Sequence, residues 1–468
     1  NYIMGGIIVD SLNGVQFNRL ALFGINNVGQ RTWTKKYGSN KFQYLDNNFI
    51  SRWFYKQDNF LYNVCCVKDS NNKYLGVFMK FDLNGDTLWQ KKFYDTVGVE
   101  PVPQRVTPSV DGGFLITGFW EDFNFNRRLL MIIKTDINGN ELWRKKIGKT
   151  GNNVQDGKAI IQDTVTKKIV IVGYQYIGTA TEDNFVICDS LGNKLSQLNY
   201  TNGSLGGWMY DVIQTKDKKF VAVGRALYPQ MIGNTNLTRA FAVKFDLNSP
   251  SVPVWKTEHD RLDYGNTFLC LKELPNETLL IAGGIDTMIQ HNLPLQAFNR
   301  ITKMDKNGNV IWNRNYNYST NTAVPNQMSV ASLNLAANGD WLTAVQVANY
   351  PNPNPFFFVR YDSTGCDSTL NYCLSVGIEE RKKIEDAISI YPNPIKSVIN
   401  LNFSLVNLSN ENISIKIFDV MGRVIKEEEL SIEREKTNIN ANELDKGVYF
   451  LQIYNEDKFI AIKKIVKE

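Results

Sequence analysis

Four short runs in this chain are almost wholly apolar and close on glycine. They are Phe114-Leu115-Ile116-Thr117-Gly118, Lys168-Ile169-Val170-Ile171-Val172-Gly173, Phe220-Val221-Ala222-Val223-Gly224 and Leu279-Leu280-Ile281-Ala282-Gly283. Lacking polar alternation, they predict strands buried on both faces. Downstream of each comes a polar cassette, clearest in Lys80-Phe81-Asp82-Leu83-Asn84-Gly85-Asp86-Thr87-Leu88-Trp89. It recurs from Lys134 to Trp143 and from Lys303 to Trp312, with weaker copies at Asn26 to Trp33, Asp189 to Asn193, Lys244 to Trp255 and Arg360 to Gly365. That makes seven copies, 53 to 59 residues apart. The chemistry is that of a hairpin: Asp and Asn bond their own backbone, Gly takes the positive φ, and Trp lands on the returning strand.

Each full unit reads as four strands. In the third they are Gln104 to Ser109, Phe114 to Gly118, Arg128 to Thr135 and Glu141 to Ile147, with Asp111-Gly112-Gly113 as the first turn. A period above 50 with four strands per unit predicts propeller blades, and seven units predict a seven-bladed all-β ring. In the first unit Tyr2 to Ile8 matches a second strand, so the innermost strand is expected upstream of Asn1 or borrowed at closure. Segments between second and third strands vary; the longest or most aromatic are Phe119 to Phe125, Tyr228 to Asn236, Asp286 to Leu295 and Asn349 to Pro355. Recognition usually resides in such loops.

Composition narrows the classes. A length of 468 residues is too long for one ordinary core, and aromatics at 12% suit strands. A net charge of +5 gives no reason to invoke nucleic acid, and no apolar run is long enough for a transmembrane segment. The chain opens at Asn1 with neither Met nor a signal peptide, which reads as a processed or trimmed start. Cys65, Cys66, Cys188 and Cys270 sit in strand-like runs and are expected as buried thiols. Cys366 and Cys373 bracket the end of the last repeat, where a disulfide would pin the final strand in an oxidising compartment.

Residues 1–373 therefore read as the propeller, 374–387 as a charged linker, and 388–468 as a second, small β-sandwich. The last segment carries four blocks: Tyr391-Pro392-Asn393-Pro394, Asp419 with Gly422-Arg423, Gly447-Val448-Tyr449, and Lys463-Lys464-Ile465-Val466. With these it resembles the type A C-terminal sorting domain of the type IX secretion system of Bacteroidetes. The resemblance implies an Ig-like fold and export across the outer membrane to the cell surface or medium. It also implies handling by the translocon, its outer-membrane shuttle barrel and a sortase-like peptidase. The repeats in turn resemble the tryptophan-docking repeat of quinoprotein-like propellers, which implies that Trp33, Trp89, Trp143, Trp255 and Trp312 dock blade on blade. Ser196 and Thr369 hold the Trp place in the fourth and seventh units, so docking is expected to be weaker there.

Candidate chemistry is thin. Asp82, Asn84 and Asp86 place oxygens at alternate positions, as calcium loops do, but a bidentate twelfth-position Glu is missing and turn chemistry is the simpler reading. His259 and His291 lie in unrelated loops, read as solvated, without GxSxG or HExxH. Glu121, Asp122, Asp211 and Glu258 could supply an acid pair for glycoside hydrolysis, though spacing selects none. Asp-Ser/Thr-apolar triplets at Asp10, Asp95, Asp163, Asp189 and Asp286 resemble a Bacteroidetes O-glycosylation pattern. The expectation is a non-catalytic surface or secreted propeller that binds a glycan or protein. An enzyme acting on extracellular polysaccharide, or a structural subunit of an outer-membrane assembly, are the alternatives.

Overall fold

The computed structural model describes all residues except 1, 13, 28, 40–41, 45–53, 71–72, 96–97, 126, 149–153, 178–179, 201–205, 233–234, 260–265, 288–295, 317–326, 337–338, 349–355, 363–364, 366–387, 404–411, 420–422, 433–435 and 456–457. Every regular element among the described residues is a β-strand. The chain divides into two compact units, Asn1–Leu374 and Ser375–Glu468.

Among the described residues the first unit holds six sheets; the eight-stranded one divides at a single parallel bridge into two antiparallel groups, which are counted separately below as the third and fourth sheets. The first sheet has three strands, Tyr2–Leu12, Val15–Ile25 and Arg31–Tyr37, beginning with the second strand of the repeat. In the second sheet Gln43–Tyr44 and Phe54–Gln57 pair with opposite ends of one edge of Phe60–Lys68, whose other edge carries Tyr74–Asp82 and then Thr87–Phe93. The third comprises Val99–Pro108, Phe114–Asp122, Arg127–Thr135 and Glu141–Ile147, and the fourth Val154–Gln162, Ile169–Ile177, Ala180–Cys188 and Lys194–Leu198. A single parallel pair, Arg128 with Val154, links these two. The fifth runs through Gly206–Gln214, Phe220–Ile232, Thr235–Phe245 and Trp255–Glu258. The sixth comprises Thr267–Glu273, Leu279–Thr287, Gln296–Met304 and Val310–Tyr316, and the seventh Gln327–Leu335, Trp341–Ala348 and Phe356–Tyr361.

The apolar runs are continuous because both faces of the sheets that hold them are covered. Ile169 and Ile171 pack on Leu115 and Ile132 of the third sheet, while Val170 and Val172 meet Met209, Phe220 and Phe241 of the fifth. Adjacent sheets share a core in this way from first to seventh. Tyr2 of the first sheet lies with its ring 5.2 Å from Phe358 of the seventh.

Each glycine that ends a run has a steric reason. In sheets three to seven the inner strand carries one extra residue, at Gln104, Lys158, Tyr210, Leu269 and Ala331. Each is a β-bulge at the same step of the repeat. The inner-strand carbonyl there crowds the glycine: a β-carbon at Gly173 would stand 1.8 Å from Asp156 O, and one at Gly224 2.0 Å from Trp208 O. No side chain fits.

One expected loop is mostly strand. Phe119 to Asp122 continue the second strand of the third sheet, and Trp120 is fully buried. Aromatic content misled the reading, because Trp120 packs on the second sheet with Phe114 and Phe78. The ends Asp286–Thr287 and Tyr228 to Ile232 are likewise strand. Cys65, Cys66, Cys188 and Cys270 are buried and stand outside any disulfide. Cys366, Cys373, His291, Thr369, the 374–387 linker and Asn349 to Pro355 lie outside the described residues.

In the second unit, Ser389–Tyr391, Val398–Asn402 and Lys436–Asn440 form one sheet. Val424–Ser431, Asn412–Asp419, Gly447–Asn455 and Lys458–Lys467 form the other. Alternating Ile413, Ile415 and Ile417 face Ile399, Leu401 and Ile439 across a shared core.

Candidate functional site

The cassette turns are built from one hydrogen-bond scheme. Asp136 Oδ1 accepts from the Asn138 and Asn140 amides at 2.9 and 2.8 Å, and Asn140 Nδ2 donates to Asp136 Oδ2 at 2.8 Å. Asp189 and Asp305 repeat it. The Asn140 side-chain amide, then its backbone N–H, holds the Asp136 carboxyl below the ordinary range. In the candidate calcium loop, Asp82 Oδ1 accepts from Asn84 N at 2.9 Å and Asp86 N at 2.8 Å, and Asp86 pairs with Lys35. These oxygens face N–H donors.

Each indole lies over the turn glycine of the following sheet. A β-carbon would stand 3.1 Å from Trp33 at Gly85, 2.6 Å from Trp89 at Gly139 and 2.6 Å from Trp143 at Gly192. At Gly308 it would stand 2.7 Å from Trp255, and at Gly365 3.1 Å from Trp312. Two residues after the indole a lysine often joins in: Lys91 Nζ reaches Asn140 Oδ1 at 2.8 Å and Lys145 Nζ reaches Asn193 Oδ1 at 2.9 Å. The fourth sheet, without the Trp, uses Tyr200, whose hydroxyl donates to Pro250 O. Around Gly29 no atom lies within 4 Å of the β-carbon position.

The candidate acids are not brought together as a pair. Glu121 binds Arg128 at 2.7 Å, Asp122 binds Arg127 at 2.9 Å, and Glu258 binds Lys256 at 2.8 Å and the Tyr228 hydroxyl. Burial pushes the Tyr228 phenol up to about 12, helped by that bond to Glu258. Asp211 takes Arg105 of the third sheet at 2.9 Å and the Leu271 amide of the sixth at 3.0 Å. His259, expected in solvent, is half-buried, with Nε2 2.8 Å from Arg300 Nη1.

Where the fourth and fifth sheets meet, aromatic and charged groups gather at the end of the strands away from the cassettes. The register shows this polarity: Ile169 faces Cys188 beside the cassette, whereas Tyr176 faces Thr181. Tyr174 lies 5.4 Å from Tyr176 and 6.2 Å from Trp208, and the Arg225 guanidinium stacks 4.2 Å above Trp208. Asp156 Oδ2 receives Lys158 at 3.0 Å and Gln104 Nε2 at 3.2 Å. The sequence reading missed this cluster, because its members sit on the first and second strands of separate repeats and on the bulges. A separate cleft of about 370 Å³ lies between the first two sheets, lined by Tyr37, Tyr44, Val77 and Met79 with Lys92.

In the second unit the four sequence blocks meet in part. Asn393 Nδ2 donates to Lys464 O at 3.0 Å and its Oδ1 accepts from Val466 N at 2.9 Å, so the first block clamps the last strand. Ile395 N adds a bond to Val466 O at 2.7 Å. Arg423 closes on Asp419 Oδ2 at 2.7 Å, with Gly422 outside the described residues. Tyr449 OH donates to Asp445 O at 3.0 Å. Lys463 and Lys464 stand opposite Leu451 and Phe450, on the last strand.

Residues 389–468 match the family described as secretion system C-terminal sorting domain. The protein is accordingly exported by the type IX system to the cell surface or the extracellular space. No helix among the described residues is long and apolar enough to cross a membrane. Among curated proteins nothing matches. Solved structures similar to the chain include the Bombyx mori GH32 β-fructofuranosidase BmSUC1, at 9% identity and TM-score 0.30, covering 88% of this chain and 85% of that one. Another is a glycoside hydrolase at 8% identity and TM-score 0.30, covering 88% and 95%. Likenesses this loose carry no weight for activity.

Proposed function

We propose that the first unit is a closed seven-bladed propeller that acts as a non-catalytic binding disc outside the cell. The second unit is its Ig-like export tag, read by the translocon, the shuttle barrel and the sortase-like peptidase. Seven sheets in face-to-face succession, with Tyr2 of the first against Phe358 of the last, support ring closure. The observation that carries binding over catalysis is the pairing of each candidate acid, Glu121, Asp122, Asp211 and Glu258, with its own cation. A glycosidase needs two carboxyl groups flanking one bond, one of them free to hold a proton. The ligand face is the aromatic and cationic end of the sheets rather than the cassette end, whose polar groups serve the turns.

The test uses the native host. Deleting residues 388–468 should leave the first unit folded and trapped in the periplasm, while the full chain reaches the surface and retains a glycan or protein from the outer-membrane fraction. Surface arrival of the truncated chain would reject the tag. Hydrolysis of a polysaccharide by the purified full chain would reject the non-catalytic reading.

A further inference from the structure

We infer that the seam between the fourth and fifth sheets binds an acidic carbohydrate, with Arg225 taking the sugar carboxylate and Tyr176 and Trp208 lining the ring's resting place. This deepens the binding reading above and rests on it.

Arg225 stands apart from the other arginines near it. Arg105, Arg127, Arg128 and Arg239 each face a carboxylate within 4 Å. Arg225 is half-buried, stacks on Trp208, and meets no hydrogen-bond acceptor among the described residues; its Nε is sealed from solvent with no partner. A guanidinium drawn partly out of water without an anion is costly, and its planar fork suits a carboxylate. The near acid does not supply that anion. Asp156 turns Oδ2 to Lys158 and Gln104, and its buried Oδ1 meets no hydrogen-bond partner in good geometry among the described residues, the nearby Tyr174 hydroxyl included. The buried Tyr210 feels the charges of both Arg225 and Asp156, so the two unmet groups belong to one neighbourhood.

The seam thus lacks an acceptor at one point and a donor at another. A sugar acid offers both, a carboxylate for Arg225 and hydroxyls for the Asp156 side. Its apolar ring face suits the half-buried Tyr176 and Trp208 rings. An acidic peptide offers the anion but few hydroxyls, and is the competitor to exclude.

The experiment is titration calorimetry on the full chain with three probes: a polygalacturonate oligosaccharide, a neutral galactan oligosaccharide and a poly-glutamate peptide. The acidic sugar should bind, more weakly as salt rises, and the neutral sugar and peptide at least tenfold less well. Arg225→Gln should weaken acidic-sugar binding about tenfold or more, with Arg225→Lys in between. Tyr176→Ala, which leaves the charge in place, should weaken it too, and unchanged thermal unfolding would show that the variants are folded. Equal binding by Arg225→Gln, or tighter binding of the peptide or neutral sugar, overturns the proposal. If all three probes fail while the chain still retains an outer-membrane ligand, the acidic-sugar assignment falls and the binding disc stands.

Discussion

Trp89 occupies the space that a side chain on Gly139 would need. A β-carbon there would stand 2.6 Å from the indole, and the glycine already sits at φ 79°. Gly139→Ala is therefore expected to destabilise the first unit by about 1–3 kcal/mol, from strain and displacement of the indole. Gly29→Ala shares the positive φ but faces open space, so its loss should be smaller. Denaturant midpoints of the two variants, measured side by side, check the difference.

Removing the indole instead leaves a hole between sheets. Trp89 packs on Tyr62 and Phe78 as well as on Gly139. Trp89→Ala should cost about 3–5 kcal/mol, and Trp89→Phe distinctly less. Equal losses would place the cost elsewhere than in the filled volume.

Asp211 ties three sheets together through Arg105 and the Leu271 amide, and is almost wholly buried. Asp211→Ala strands a half-buried guanidinium and a buried amide, for an expected loss of about 3 kcal/mol. Thermal or urea unfolding measures it, and replacing Arg105 with Met in the same chain should restore part of the loss.

The cassettes make the first unit acid-sensitive in a defined window. Asp136 and Asp189 titrate below the ordinary carboxylate range because side-chain and backbone donors of Asn140 and Asn193 hold the charged forms. A depressed folded pKa gives stabilisation that is present above the unfolded value, about 4, and is lost as pH falls through the folded value. Urea midpoints should thus fall below about pH 4, and less steeply in the double variant Asp136→Asn, Asp189→Asn. Asn26 already fills this role in the first sheet, accepting from Gln30 N at 2.8 Å, so the turn tolerates the change.

Asn393→Ala removes both hydrogen bonds that join the first block of the sorting unit to its last strand. A loss of about 1–3 kcal/mol in that unit is expected, with reduced arrival at the surface. Comparing surface and periplasmic amounts checks it.

How far the sequence could be read follows from the range of each signal. Asp136, Gly139 and Trp143 lie within eight residues, so turn chemistry and strand return were legible together. The resemblance pointed the indole at the neighbouring blade, but its partner there was not legible, since Trp143 meets the turn glycine Gly192 of the next repeat. Trp120 looked like an exposed insertion because its burial depends on the second sheet. Arg225 and Asp156 had no motif at all. They converge only because the first strand of one sheet and the second strand of the next meet at the same seam.

Asn393 and Ile395 find their partners in Lys464 and Val466, 71 to 73 residues further along the chain for Asn393. A ribosome makes those partners long after the block that grips them. A molecule terminated between the two therefore cannot close the sorting unit and never acquires a complete address label.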